Sequence, residues 1–173
     1  MRRLPDVEIA QVRRLIRGMA TLTQDGGYRF DPAWLLKHCW VVVPVEDSGH
    51  FADEEISRIV AVLGSKEHLT CLAIGAHDWP IPLPTSYELT VSIDDFRAFN
   101  AECGIFRFLL TDPGCSWAIS CSEWFNLFAG PTAFVEQMLG LPIQKSREEF
   151  LEYAKLVEQG SEGQLMEIVR LYE

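Results

Sequence analysis

Two short apolar runs constrain the fold of this chain most. Trp40 to Val43 is uniformly apolar and rich in valine, and Leu69 to Ala76 is nearly so, as expected for strands that are covered on both faces. Pro44 follows the first run, and because proline cannot donate to a sheet ladder, it ends this strand or places it near an edge. Between the runs, helical spacing from Asp53 to Gly64 completes the strand, helix, strand order of a crossover unit.

Capping and turn residues predict several further elements. Asp31-Pro32 starts a short helix that reaches about His38, since proline is tolerated at the first helical position. Alternation from Tyr87 to Ser92 predicts a half-buried strand, and Ser92 or Asp94 then caps a helix that runs through Glu102. Both chain ends are predicted to be helical, the first from apolar spacing at Val12, Leu15, Ile16, Met19 and Leu22, and the last from Gln164 to Tyr172.

A hairpin is predicted around Thr111-Asp112-Pro113-Gly114, with strands at Ile105 to Leu110 and Cys115 to Ser120 and with positive φ supplied by the glycine. Ser120 and Glu123 have capping-box spacing, which predicts a helix that stops at Gly130-Pro131. The next helix ends at Gly140, and Ser146 caps another. From this segment, four residues are expected to be available to the core: Trp117, Ile119, Trp124 and Phe125.

These elements indicate an α+β fold. We expect a single domain over residues 1–173, with a mixed sheet of about five strands and helices packed against it. A chain of 173 residues with 48% hydrophobic content is long enough to bury a substantial core.

The charge is unevenly distributed. The net charge of −10 divides into +3 for residues 1–22 and −13 for residues 23–173. Such a body repels nucleic acid and attracts basic surfaces, so we expect a basic protein partner and no nucleic acid. No run approaches the ~18 apolar residues of a membrane span, and the N-terminus lacks the continuous apolar core of a signal peptide, so we expect a cytoplasmic protein that does not contact a membrane.

Catalytic and metal-binding motifs are weak in this sequence. The five cysteines show no C-x-x-C spacing and the four histidines no metal-binding spacing, so we expect reduced thiols, no metal and no cofactor. There is no phosphate-binding glycine loop either. An enzyme using Cys71 as nucleophile, with His77 and Asp78, is the alternative, although a thiol inside an apolar run is usually a small buried hydrophobe.

The candidate binding residues are one aromatic side chain and a set of carboxylates. Trp79 stands beside Asp78 in a proline-rich stretch, where it is either a rigid anchor for a protein partner or a lid on the core. Several carboxylates are expected to gather at one rim of the sheet, because five of them lie at predicted strand ends or turns: Glu46, Asp47, Asp94, Asp95 and Asp112. A third possibility is an adaptor that assembles through the basic N-terminal helix, although we expect this helix to dock on its own core.

Residues 105–139 carry a resemblance to a known class of protein. This segment resembles small bacterial proteins of the immunity type, and its sequence is FRFLLTDPGCSWAISCSEWFNLFAGPTAFVEQML. The shared pattern is a strand that ends in a turn, then W-x-I, then an acidic-aromatic helix start, and finally a short helix that begins near a phenylalanine. These proteins neutralise a cognate toxin. The resemblance implies stoichiometric binding without catalytic residues, and the acidic body suits a basic partner such as a nuclease toxin.

Overall fold

The computed structural model describes residues 1–23, 27–46, 50–65, 69–76, 86–103, 107–158 and 163–172. Its strands are β1 (Arg2–Arg3), β2 (Ala20–Leu22), β3 (Tyr28–Phe30), β4 (Val41–Glu46), β5 (Thr70–Gly75), β6 (Tyr87–Thr90), β7 (Phe108–Thr111), β8 (Ala118–Cys121) and β9 (Phe125–Gly130). Its helices are α1 (Asp6–Ile16), α2 (Pro32–His38), α3 (Asp53–Gly64), α4 (Ile93–Cys103), α5 (Thr132–Leu139), α6 (Ile143–Glu158) and α7 (Gln164–Leu171). The predicted α+β class is confirmed.

One large sheet organises the molecule. Its order is β1-β6-β5-β7-β8-β9-β4, and every neighbouring pair is antiparallel. The sheet is therefore larger than the expected five strands, and its neighbours are not mixed in direction. β2 and β3 form a separate antiparallel hairpin. The predicted crossover unit is present, because four successive antiparallel pairings make β4 and β5 parallel within one sheet and α3 connects them. The two strands are not neighbours, since β7, β8 and β9 lie between them.

Helices cover both faces of this sheet. One face packs against α1, α2, the β2–β3 hairpin, α6 and α7, and the other packs against α3, α4 and α5. Successive residues of each strand point to opposite faces of the sheet and pack into separate apolar cores. Leu127 of β9, for example, packs on the face covered by α6 and α7, and Phe128 packs on the face covered by α3, α4 and α5. Coverage on both faces explains why the strands read as continuous apolar runs.

Strand β4 forms one edge of the sheet, as one of the two readings of Pro44 predicts. The proline lies inside this strand and does not end it. Its missing N–H leaves the open side of β4 without one donor, which disfavours pairing with another strand. Helix α6 packs against the same edge, and Arg147 Nη2 donates to the carbonyl of Val42 at 3.3 Å.

The predicted helix after Ser120 is wrong, because Phe125–Gly130 is a strand paired on both sides. All six of its residues are buried, and burial on both faces outweighs the local helical pattern. The acidic and aromatic residues Glu123 and Trp124 instead lie in a tight turn, in which Ser122 N donates to the Phe125 carbonyl at 3.2 Å. Ser122 Oγ also bonds the Phe125 backbone.

The hairpin between β7 and β8 is confirmed, with a shorter ladder than predicted. Its turn closes with Cys115 N donating to the Asp112 carbonyl at 2.9 Å. Positive φ falls on Cys115, at 49°, and not on Gly114.

Several helix boundaries follow the predicted caps, and others do not. Asp31 Oδ1 accepts from Trp34 N at 2.9 Å at the start of α2, and Ser92 Oγ accepts from Asp95 N at 3.2 Å at the start of α4. Gly140, with φ of 74°, ends α5 as expected. By contrast, Ser146 is buried inside α6, which begins at Ile143.

Helix α1 docks on the core, as expected, although it ends at Ile16. Ile16 and Met19 are buried, whereas Leu15 is 46% exposed and Leu22 lies in β2.

Candidate functional site

Those carboxylates of the predicted rim that the structure describes lie at opposite ends of the sheet. Glu46 pairs with Phe125 at one end, whereas Asp112 follows Thr111 at the other. Asp94 and Asp95 come just after Thr90, at the same end as Asp112. Three of the carboxylates expected at one rim therefore share an end of the sheet, and Glu46 lies at the other end. Asp47, Asp78 and Trp79 lie outside the described residues, as does His77 of the alternative catalytic trio.

Asp112 has a structural role in the β7–β8 turn. Its side chain is 1% exposed. Its carboxylate accepts from Ser116 N at 2.6 Å, from Ser116 Oγ at 3.1 Å and from Gly114 N at 3.2 Å. These bonds satisfy a buried charge, so this carboxylate is not available to a partner.

Asp95 is also held by its own chain. Its Oδ2 atom accepts from Thr90 N at 2.6 Å and lies 2.6 Å from the amino group of Met1. Burial by itself raises the pKa of Asp95, but the bonds from Met1 and Thr90 outweigh it and lower the pKa below the ordinary value of 3.8. Much of this carboxylate's hydrogen-bonding capacity is therefore already used.

The two helical layers differ in charge. Helices α3 and α4 each carry a net −2 and α5 carries −1, which gives −5 for the layer that they form. In the opposite layer, α1 and α7 are neutral, α2 carries +1 and α6 carries −1, which gives zero. We call these layers the acidic face and the neutral face.

The start of α3 is fixed against the side of α4. Asn100 Nδ2 donates to the carbonyl of Phe51 at 2.7 Å, and Phe51 N donates back to Asn100 Oδ1 at 3.4 Å. Glu55 Oε2 accepts from Ala52 N at 2.8 Å and so caps α3. These contacts hold the first turn of α3 at a defined position beside α4.

An ion pair joins these two helices at the surface. Arg97 Nε lies 3.0 Å from Asp53 Oδ1, and both side chains are more than half exposed. The hydrogen bond from Arg97 and its charge lower the pKa of Asp53, so this carboxylate stays ionised at neutral pH. The hydrogen bond with Asp53 is the main cause of the raised pKa of Arg97. Asp94 lies one turn before Arg97, on the same side of α4, and its charge adds to this effect.

Two carboxylates beside this pair are open to solvent. Glu54 and Asp94 are exposed, and within the described ranges neither side chain makes a hydrogen bond or an ion pair. We call Asp53, Glu54, Asp94 and Arg97 the acidic surface. Of its carboxylates, the sequence indicated Asp94 as a binding residue but not Asp53 or Glu54. Only the spacing of Asp94 and Arg97 could have indicated that a cation lies among them.

The thiols of Cys71 and Cys103 are not activated. Cys71 is completely buried, and burial, with the charges of Asp95 and Asp112, raises the pKa of its thiol far above the ordinary value. Burial likewise raises the pKa of Cys103 to about 12. A nucleophilic cysteine needs the opposite shift. Among the residues that the structure describes, no group of three or more His, Cys, Asp or Glu side chains could hold a metal ion.

One exposed aromatic side chain was assigned to the core by the sequence. Trp117, Ile119 and Phe125 are buried as expected, but Trp124 is 52% exposed at the tip of the β8–β9 turn. Its carbonyl accepts from Tyr153 Oη at 3.3 Å.

No protein-family model, curated protein or solved structure matches this chain. The resemblance of residues 105–139 to immunity-type proteins therefore stays a prediction. Of the helices in the described segments, none combines the length and the apolar character needed to span a membrane.

Proposed function

We propose that this protein is a non-enzymatic binding protein whose acidic surface docks a basic protein partner. The observation that carries the proposal is the net charge of −5 on one helical layer, where Asp53, Glu54 and Asp94 are exposed. A patch of one charge sign steers an oppositely charged partner and raises the association rate.

The rigidity of the acidic surface supports this proposal. The side chains of Asn100 and Glu55 hold the start of α3 through hydrogen bonds with the backbone of Phe51 and Ala52, and Arg97 links Asp53 to α4. A preorganised surface loses less conformational entropy when it binds. The positive charge of Arg97 also reduces the repulsion between the neighbouring carboxylates. Its guanidinium can in addition bind a carboxylate or carbonyl group of a partner.

The finer form of the proposal is a bacterial immunity protein that neutralises a basic toxin by stoichiometric occlusion in the cytoplasm. The resemblance of residues 105–139 implies this class, and the acidic face fits a nuclease-type partner whose own surface is positive. Occlusion requires no catalytic residue in the binder, which agrees with the buried, high-pKa thiol of Cys71.

The structure favours neither alternative. A cysteine enzyme needs an accessible thiolate, and Cys71 is inside the sheet. In the adaptor alternative the N-terminal helix engages another chain, whereas in this structure the N-terminal segment is bonded to the protein's own core. Here Leu4 N donates to the Ser86 carbonyl at 2.7 Å, and Arg13 reaches the Gly75 carbonyl at 3.4 Å.

The test uses three tagged baits in lysate of the native host. They are the wild type, an acidic-face variant (Asp53→Asn, Glu54→Gln, Asp94→Asn) and a matched neutral-face variant (Glu149→Gln, Glu152→Gln, Glu167→Gln) that has the same net charge. All six carboxylates are exposed. We expect one basic protein to be retained stoichiometrically by the wild type and the neutral-face variant, and to be lost from the acidic-face variant.

The captured partner is then assayed for its own activity with and without the purified wild type. Equimolar wild type should abolish that activity if the protein neutralises it. Capture that is equal for all three baits, or absent for the wild type, would refute docking through the acidic surface. Capture without loss of partner activity would refute neutralisation alone.

A further inference from the structure

Exposed apolar side chains are concentrated on the neutral face. Within the described ranges, six large ones lie on its helices: Val7, Leu15, Leu36, Leu156, Val157 and Leu171. In the same ranges the helices of the acidic face expose only Ile93. Exposed apolar side chains that stand alone are ordinary, whereas a contiguous group of them marks an interaction surface. The neutral face therefore holds the candidates for such a group.

One contiguous group lies at the C-terminal end of α6. Leu156 and Val157 come three and four positions after Tyr153, so both adjoin it on the helix surface. Tyr153 Oη donates to the carbonyl of Trp124 at 3.3 Å, which places Trp124, itself half exposed, beside the helix. We call Trp124, Tyr153, Leu156 and Val157 the α6 patch.

The core holds the α6 patch in place. The ring of Tyr153 lies 5.8 Å from the ring of Phe150, which is buried. The turn that carries Trp124 is closed by the hydrogen bond from Ser122 N to the Phe125 carbonyl. Trp124 is thus an aromatic side chain on a short, fixed turn. Aromatic anchors of this kind supply much of the binding energy of protein interfaces, at a low cost in conformational entropy.

The charged side chains around the α6 patch already have partners. Lys155 Nζ lies 2.8 Å from Glu152 Oε1, and Arg107 Nη2 lies 3.4 Å from Glu123 Oε2. The carboxylate of Glu158 accepts from two backbone N–H groups at the start of α7. The rim of the patch is therefore close to neutral and, unlike the acidic surface, does not favour a basic partner.

A second copy of the chain is the partner that this surface fits. Each copy carries a net charge of −10, so two copies repel one another over most of their surfaces, and they approach at the lowest electrostatic cost through the neutral face. Glu152 and Lys155 are in addition self-complementary. A twofold axis perpendicular to α6 sets the two helices antiparallel and reverses the order of these charges, so that Lys155 of each copy lies opposite Glu152 of the other.

We propose that two copies of this protein form a symmetric dimer through the α6 patch. Burial of Trp124, Leu156 and Val157 in both copies supplies the affinity, because apolar burial is the main favourable term in association. Ion pairs between Lys155 and Glu152 across the axis fix the antiparallel orientation, since exposed pairs contribute more to specificity than to stability. The proposed toxin neutralisation does not require this dimer. The acidic surface lies on the opposite side of the sheet and stays open in both copies.

Sedimentation velocity of the purified full-length protein, over a range of concentrations, tests the proposal. A reducing agent is present, so that the exposed Cys39 does not form disulfides. We expect a reversible change from one copy to two, with a dissociation constant in the micromolar range, as for other interfaces of modest size. A wild type that remains a single copy up to millimolar concentrations would overturn the proposal.

Leu156→Glu tests whether the α6 patch forms the contact. Leu156 is 71% exposed, so the substitution leaves the core intact, and the cost of burying a carboxylate should weaken the dimer at least tenfold. Leu36→Glu is the matched control, because it makes the same change at an 83% exposed leucine of α2, outside the patch. It should dimerise as the wild type does. Equal weakening by both variants, or none by folded Leu156→Glu, would contradict the proposed contact.

Two charge reversals test the orientation. Glu152→Lys makes both positions of the pair positive and Lys155→Glu makes both negative, so each variant alone should dimerise at least tenfold more weakly than the wild type. Glu152→Lys also lowers the net negative charge of each copy, so a general loss of repulsion would strengthen its dimer instead. An equimolar mixture restores opposite charges across the axis and should form a mixed dimer with nearly the wild-type affinity.

The charge reversals also decide the matter if Leu156→Glu does not fold. Both side chains are more than half exposed, so these substitutions do not disturb the core. Unchanged dimerisation of either variant alone, or a mixture that associates no better than its components, would overturn the proposed antiparallel dimer.

Discussion

The two helical layers of this protein both cover a face of the sheet, but they present different surfaces to solvent. Each layer buries aromatic residues against the sheet, for example Phe99 of α4 on the acidic face and Phe150 of α6 on the neutral face. The net charges of their helices differ by five units. Burial restricts the inward positions, whereas outward positions are free to carry a binding role.

The carboxylates show the same division on a smaller scale. Asp112 and Asp94 lie at the same end of the sheet. The carboxylate of Asp112 accepts three hydrogen bonds from its own turn, whereas Asp94 is exposed to solvent. A cluster of acidic letters in a sequence therefore does not by itself mark a binding surface. The position of nearby donors decides which carboxylates remain available.

The largest expected effect tests whether the two layers are equally structural. Phe99→Ala and Phe150→Ala each remove a buried ring, and we expect each to lower the free energy of unfolding by about 3–5 kcal/mol. Denaturant unfolding at neutral pH measures both. A loss below about 1 kcal/mol for either variant would contradict the view that both layers form the core.

The next effect separates the two kinds of carboxylate. Asp112→Ala leaves donors of Gly114 and Ser116 without an acceptor, so we expect a loss of about 1–3 kcal/mol in the free energy of unfolding. Asp94→Ala, the matched exposed control, should change it by no more than about 0.5 kcal/mol. Thermal and denaturant unfolding measure both variants. Equal losses would contradict the view that Asp112 is structural and Asp94 is not.

The smallest effect concerns Asp95 and depends on pH. Because the folded-state pKa of Asp95 is lowered, its ionised form stabilises the fold above the unfolded pKa, and this contribution is lost as the pH falls through the folded value. Asp95→Asn should therefore be less stable than the wild type at pH 7. The difference should shrink as the pH falls below about 4. A difference that stays constant from pH 7 to pH 2 would show that the charge of Asp95 is not responsible.

Some of the fold could be predicted because the signals are local. Asp31-Pro32 starts a helix and Gly140 ends one, and each acts through contacts within one helical turn. Pro44 favours an edge strand because it has no backbone N–H to donate. The strand at Phe125–Gly130 could not be recognised, because its strand pairing depends on partners elsewhere in the chain that bury it on both faces. Local propensity is a weak guide under such burial.

The candidate site was harder to predict than the fold. Arg97 and Asp53 are 44 residues apart in sequence, so their ion pair depends on how α3 packs beside α4. Arg147 and Val42 are separated by 105 residues, and only the packing of α6 on the edge strand brings them together. Long-range contacts of this kind leave no periodic pattern in a single sequence.

The most direct test of the acidic surface is the association rate of the captured basic partner at several salt concentrations. It is measured for the wild type, the acidic-face variant and the neutral-face variant, whose net charges are raised equally. We predict that the acidic-face variant associates on the order of tenfold more slowly at low salt and depends less on salt, while the neutral-face variant behaves as the wild type. Equal slowing of both variants would show that overall charge, and not this surface, attracts the partner.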